Sequence, residues 1–133
     1  MVSIAVAQFA PGTDPAGNLA TIAELAERAV ARGATLVVFP EYSSSFSPDM
    51  GEDWVKAAET LEGQFVTGLG ALARRLGVHL VAGFIEVADA ARIRNAVVAV
   101  NPGGAIVATY RKVHLYDAFG QRESDWVAPG AIE

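Results

Sequence analysis

Apolar and polar positions along the chain switch between two periods, and the switches mark its elements. Val2 to Ala7 is largely apolar and reads as a strand. Asp14-Pro15 then predicts a helix start, because an aspartate can cap free N–H groups and proline suits the first helical position. Leu19, Ile22, Ala23, Ala26, Ala29 and Val30 recur at helical spacing and form one apolar face. Gly33 stands where a left-handed C-terminal cap is expected. The run from Thr35 to Phe39 predicts a strand buried on both faces. Pro40, which lacks a backbone donor, ends it.

A second helix is expected within Glu52 to Thr60. A third is expected from about Gly63 to Leu76, with Phe65, Leu69, Leu72 and Leu76 on one side and Gly77 closing it. Val78 to Glu86 reads as the next strand. Arg94 to Asn101 and Ala105 to Arg111 read as two more, and the Pro102-Gly103-Gly104 connection favours a hairpin. Lys112 to Glu133 is polar and irregular, with a few aromatics. The order β-α-β-α-α-β-β-β predicts an α/β fold with a mixed sheet. No repeat, low-complexity tract or linker interrupts it.

Composition sharpens this picture. A chain of 133 residues fits one domain with a core. Apolar residues make up 52% and charged ones 19%, against about 25% charged in a typical domain. So little charge implies that much of the surface is covered, by a larger fold or by a partner. The net charge of −5 and pI near 5.0 argue against nucleic acid, and the basic clusters Arg74-Arg75 and Arg111-Lys112 are short. There is no cysteine, which excludes disulfides, thiolate zinc sites and thiol catalysis by these residues and fits a cytoplasmic protein. Met1 to Ala10 lacks the cationic region of a signal peptide. No apolar stretch reaches the ~18 residues of a membrane span, so no membrane partner is expected.

Ligands of open α/β sheets bind beyond the carboxyl ends of strands. Glu41 stands there, just after Leu36-Val37-Val38-Phe39-Pro40. Position alone leaves it open between a proton-transfer group and a solvated loop acid or helix cap. Lys112 ends another strand, where a lysine is usually solvent-exposed; on position alone a site cation is the lesser reading. His114 alternates with Lys112, so both would point to one side of an extended segment; it is a candidate base or a hydrogen-bonded structural histidine. His79 reads as structural. Ser43-Ser44-Ser45 lacks the flanking glycines of a nucleophile elbow. Gly68-Leu69-Gly70 lies inside a helical pattern and is not a phosphate loop. His79 and His114 have no neighbours at metal-ligand spacing, so no metal is expected.

As a set, these segments resemble the nitrilase superfamily of carbon–nitrogen hydrolases. Ile4-Ala5-Val6-Ala7-Gln8 is similar to its first strand, and Leu36-Val37-Val38-Phe39-Pro40-Glu41 to the segment carrying its catalytic glutamate. Ala82-Gly83-Phe84-Ile85-Glu86 and Arg94-Asn95-Ala96 resemble its middle strands. Tyr110-Arg111-Lys112-Val113-His114-Leu115 resembles the segment with its catalytic lysine, and Gln121-Arg122-Glu123-Ser124 with Pro129-Gly130 the stretch with a second active-site glutamate. The segment from Lys112 to Gly130 is closest to the amidase-like branch that includes ω-amidases and deaminated-glutathione amidases.

The resemblance implies a partial α-β-β-α sandwich: a mixed sheet with helices on one face. It implies that residues 1–133 are the amino-terminal part of a single hydrolase domain. It also implies Glu41 as general base, Lys112 as oxyanion stabiliser, Glu123 as auxiliary acid, and a cysteine nucleophile on a later strand. The expected substrate is a small amide or nitrile, with no metal or organic cofactor, in a homo-oligomer. As written, the chain lacks the nucleophile and is expected to be inactive. The reading frame is expected to continue to a strand-end cysteine, with Pro129-Gly130 as a turn and Ala131-Ile132 opening the next strand. One alternative is a non-catalytic binding or assembly module built on the same half-fold. Another is an unrelated α/β enzyme using Glu41 and His114 as an acid–base pair, which requires the two to meet in one pocket without Lys112. The uncovered sheet face is expected to cause self-association.

Overall fold

The computed structural model describes residues 1–132; Glu133, the last residue of the expected domain, lies outside them. Five strands form one mixed sheet in the order β1 (Ile4–Val6), β2 (Leu36–Val38), β3 (His79–Val87), β4 (Ile93–Val100) and β5 (Ile106–Arg111). The first three run parallel because helices connect them: α1 (Pro15–Val30) before β2, then α2 (Glu52–Ala57) and α3 (Gln64–Leu76) before β3. The last three form antiparallel pairs, joined between β4 and β5 by the expected glycine-bearing hairpin. A small hairpin, β6 (Asp117–Ala118) and β7 (Gln121–Arg122), precedes a 3-10 turn over Glu123–Asp125. This is the expected α/β class with its mixed sheet.

Local chemistry sets the helix ends. Asp14 is extended and its carboxylate accepts the Ala16 amide at 3.1 Å. Gly33, at φ +89°, turns the chain out of α1. Its amide donates to Val30 O and that of Ala34 to Ala29 O, which satisfies two of the carbonyls a helix end leaves open. The helical residues end at Val30, so the glycine lies in the turn beyond the helix.

The core lies between α1, α3 and one face of the sheet. Ile22 and Ala26 of α1 and Phe65, Leu69 and Leu72 of α3 pack on Val37, Leu80, Phe84, Val98 and Val100. Two helices cover that face rather than the three counted from the sequence. The short α2 instead contributes Trp54 to a second cluster with Tyr42, Ile85, Ile93 and Val127. There the chain returns beside β4: the Ile93 amide donates to Trp126 O, and the Ala128 amide to Ile93 O.

The other face corrects the reading of β2. Val37 is fully buried, while Leu36 and Val38 are only half-buried. One row of directly paired residues, Val6, Val38, Val81, Ala99 and Ala108, crosses all five strands, and every member is apolar. Strand alternation puts this row opposite the helices. Val6 is 82% exposed. The run in β2 is continuous because both faces are apolar, but among the described residues only one is covered. Ala131 and Ile132 belong to no strand, and no turn forms at Pro129-Gly130. Instead Gly130 donates its amide to Lys112 O at 2.9 Å.

The open row predicts association. The 133-residue chain binds a hydrophobic dye and sediments above its monomer mass, and Val6→Lys with Ala108→Lys reduces both. A monomeric, dye-silent parent chain contradicts this.

Candidate active site

β2 delivers Glu41 over the top of β3, and one missing side chain permits the crossing. Phe39 donates its amide to Val81 O at 2.8 Å, and Gly83 donates to Pro40 O at 3.2 Å. A Cβ on Gly83 would lie 2.7 Å from Tyr42 N, 2.8 Å from Glu41 Cα and 2.9 Å from Pro40 O. Tyr42 then turns at φ +55°, a conformation that costs a non-glycine residue of order 1 kcal/mol or more and that surrounding bonds must hold. The serines supply those bonds. Ser43 donates its hydroxyl to Pro40 O at 2.6 Å, Ser44 Oγ accepts the Ile85 amide at 3.0 Å, and Asn18 donates its side-chain amide to Ser44 O at 3.0 Å. Ser43, Ser44 and Ser45 are buried braces.

Two carboxylates and one ammonium converge beyond this turn. Lys112 follows β5, with its amide donating to Asn95 O at 2.9 Å. Its Nζ lies 3.1 Å from Glu123 Oε1 and 4.0 Å from Glu41 Oε1. Glu41 Oε1 accepts a short hydrogen bond from the Asn95 side-chain amide. Glu123, only 4% exposed, meets donors at both of its oxygens. Besides Lys112, the Tyr42 hydroxyl donates to Oε1 at 3.4 Å and the Tyr116 amide donates to Oε2. Burial, and then the charges of Glu123 and Glu41, push the Tyr42 hydroxyl far above the ordinary tyrosine range. Next to Lys112, Arg111 grips the carboxylate of Glu86 with two guanidinium nitrogens. Ser124 donates its amide to Asp117 at 2.9 Å, and hydrogen bonding to Ser124 holds that exposed carboxylate below its usual range.

The Glu41 side chain is 59% exposed and faces a cleft of about 240 Å³ that it shares with Lys112 and Glu123. Phe46, Met50 and Trp54 form an apolar wall, with the Tyr42 and Trp54 rings meeting edge to face at 4.8 Å. An accessible carboxylate can carry a proton, and an ammonium beside it can stabilise developing negative charge.

The structure thus brings Glu41, Lys112 and Glu123 together. His114 is exposed and borders a different cleft with Tyr110 and Arg111, so the condition set for a Glu41–His114 pair is not met. His79 is exposed on β3. Gly68 and Gly70 lie inside α3, where Gly70 lets the Gly104 carbonyl approach closely. Sequence reading missed Asn95, Tyr42 and Tyr116 as site groups. Asn95 carried a weak signal: an uncharged polar residue ahead of the apolar run Ala96 to Val100 in β4.

Comparisons with known proteins agree in direction. A carbon–nitrogen hydrolase family model matches residues 3–132. The chain is 40% identical over 129 residues to a hydrolase of Mycobacterium tuberculosis, covering 96% of this chain and 45% of that protein. It is 31% identical over 133 residues to an omega-amidase of Danio rerio, covering 96% and 47%. Among solved structures, a mutant amidase of Nesterenkonia sp. AN1, with acrylamide joined by Michael addition at its active-site cysteine, superposes with a TM-score of 0.82. That match is 25% identical and covers 99% of this chain and 51% of the amidase. The chain spans about half the length of the curated relatives it matches.

Two outcomes follow from the geometry. Gly83→Ala forces three backbone contacts apart and destabilises the fold by about 3 kcal/mol, read as a lower urea midpoint; an unchanged midpoint contradicts the crossing. Tyr42 stays neutral in the fold beyond its ordinary pKa of 10.0. Its contribution is therefore complete below pH 10.0 and is lost as pH rises further, because only the unfolded chain gains by ionising. Tyr42→Phe, which cannot ionise, flattens this alkaline limb of the stability curve. A limb unchanged in the variant contradicts the assignment.

Proposed function

The chain belongs to the carbon–nitrogen hydrolase family, and from that premise we propose that Glu41, Lys112 and Glu123 form the fixed part of an amide-hydrolysing site. Its thiol nucleophile comes from outside these 133 residues, which contain no cysteine. The observation that carries this reading is an accessible glutamate with an ammonium 4.0 Å away, while a buried second glutamate holds that ammonium at 3.1 Å. The described residues are one part of a single domain, and the remainder completes the sandwich over the open sheet face.

Each group has a role its surroundings suit. Glu41 removes the thiol proton, and the sulfur bonds to the amide carbon. The carbonyl oxygen becomes anionic beside the Lys112 ammonium, an interaction worth several kcal/mol in a water-poor site, of order 3 when one donor is removed. Glu41 returns the proton to nitrogen, the carbon–nitrogen bond breaks, and ammonia or an amine leaves. Water, deprotonated by Glu41, attacks the resulting thioester and regenerates the thiol as the acid departs. Glu123 has its oxygens committed to Lys112, Tyr42 and Tyr116, so it orients the lysine rather than moving protons. No step calls for a metal or an organic cofactor. The substrate is a small amide, and a reducing cytoplasm suits a thiol enzyme.

The test uses the protein expressed from the natural reading frame that carries these residues. It releases ammonia from small linear amides. Glu41→Gln lowers kcat by about 10²- to 10⁴-fold and Lys112→Met by about 10²- to 10³-fold. The 133-residue chain alone releases none. Steady release by the pure chain, abolished by Glu41→Gln, would mean that another nucleophile serves. A complete product with no strand-end cysteine and no hydrolysis would favour a non-catalytic module.

A further inference from the structure

We propose that Asn95 is the positioning residue of this site, fixing which oxygen of Glu41 handles protons and where Lys112 leaves the sheet. The inference rests on the reading of Glu41 as the general base, and it assigns work to a residue that touches no substrate.

Asn95 is the one polar residue of β4 that is buried; the other, Arg94, is half-buried. Asn95 is 4% exposed, and its side-chain amide donates to Glu41 Oε1. A buried amide is costly unless bonded, so its presence there calls for a partner. That partner is 54 residues earlier in the chain, on the loop after β2. The same residue's carbonyl accepts the Lys112 amide at 2.9 Å and so continues the β4–β5 ladder one step beyond the end of β5. Asn95 is therefore bonded to both proposed catalytic residues, one by side chain and one by backbone.

The chemistry explains why a neutral donor suits this place. Lys112 is drawn to Glu123 at 3.1 Å and stands off from Glu41 at 4.0 Å. A close Lys112–Glu41 ion pair would stabilise the carboxylate and weaken it as a base. An amide N–H holds the carboxylate by one oxygen without adding charge. Oε1 accepts the Asn95 bond, which leaves Oε2 as the oxygen for proton transfer. Correct placement of one oxygen matters because displacement by about 1 Å can cost about 10²-fold in rate.

The test has two arms. In the protein from the natural reading frame, Asn95→Leu and Asn95→Ser lower kcat for a small amide by about 10- to 100-fold while KM changes less than threefold. Asn95→Ser guards against a variant that fails to fold. A kcat within twofold of the parent in a folded Asn95 variant, where Glu41→Gln is inactive, overturns the proposal and leaves the reading of Glu41 intact. Full activity of Glu41→Gln overturns the reading itself. The second arm needs no catalysis. Asn95→Asp sets two carboxylates against each other, and such a pair retains a proton to higher pH than either alone. The variant is therefore less stable than the parent at pH 8 and recovers as pH falls toward 5. Adding Glu41→Gln reduces that pH dependence, because the second carboxylate is gone and only burial still raises the pKa of the first. The same pH dependence with and without Glu41→Gln would place Asn95 against some other group and overturn the proposal.

Discussion

A carboxylate taken out of water must be met by donors, and Glu123 is the carboxylate around which the end of this sheet is organised. Its ammonium partner, its hydroxyl partner and its amide partner come from three segments: Lys112 after β5, Tyr42 after β2, and Tyr116 ahead of the small hairpin. Leaving such a group buried without partners costs several kcal/mol, so the three segments are tied to one another. That tie fixes Lys112 close to Glu41 and not merely on the same strand end. Tyr42 stays neutral there, since a phenolate would be buried and would also face two carboxylates.

The backbone prepares this convergence. β2 and β3 run parallel, so the chain leaving β2 continues over β3. At Gly83 the two backbones approach more closely than any side chain would allow. The turn at Tyr42 then points one residue outward and the next inward: Glu41 faces the cleft and Tyr42 lies against Trp54. On the other side of the site, the β4–β5 ladder carries Asn95 and Lys112 as near neighbours. Of the helices, α2 lines the cleft through Trp54 and α1 braces the turn after β2 through Asn18, while α1 and α3 otherwise pack on one face of the sheet.

Much of this was legible in the sequence. Helical spacing and caps gave α1 and α3, since Asp14, Gly33 and Gly77 act locally. Glu41 and Lys112 could be picked out because strand ends are marked by short-range signals, here Pro40 and the charged run after Tyr110. What escaped was what depends on distant contacts. Nothing local tells Asn95 that its partner is Glu41, or Tyr42 that it must adopt a positive φ. α2 was expected on the helical face, but its single large apolar residue, Trp54, draws it to the second cluster. His114 was expected to follow the alternation of Lys112, yet β5 stops at Arg111 and the alternation stops with it.

On the proposed function, Glu41 and Lys112 flank the position of a reacting sulfur. The most direct measurement is a crystal structure of the protein from the natural reading frame after reaction with an acrylamide-type electrophile. The expected result is a cysteine adduct whose sulfur lies within hydrogen-bond reach of the Glu41 carboxylate and whose carbonyl oxygen lies against Lys112 Nζ. An adduct formed at a sulfur remote from both residues, or no adduct with an otherwise intact fold, would contradict it.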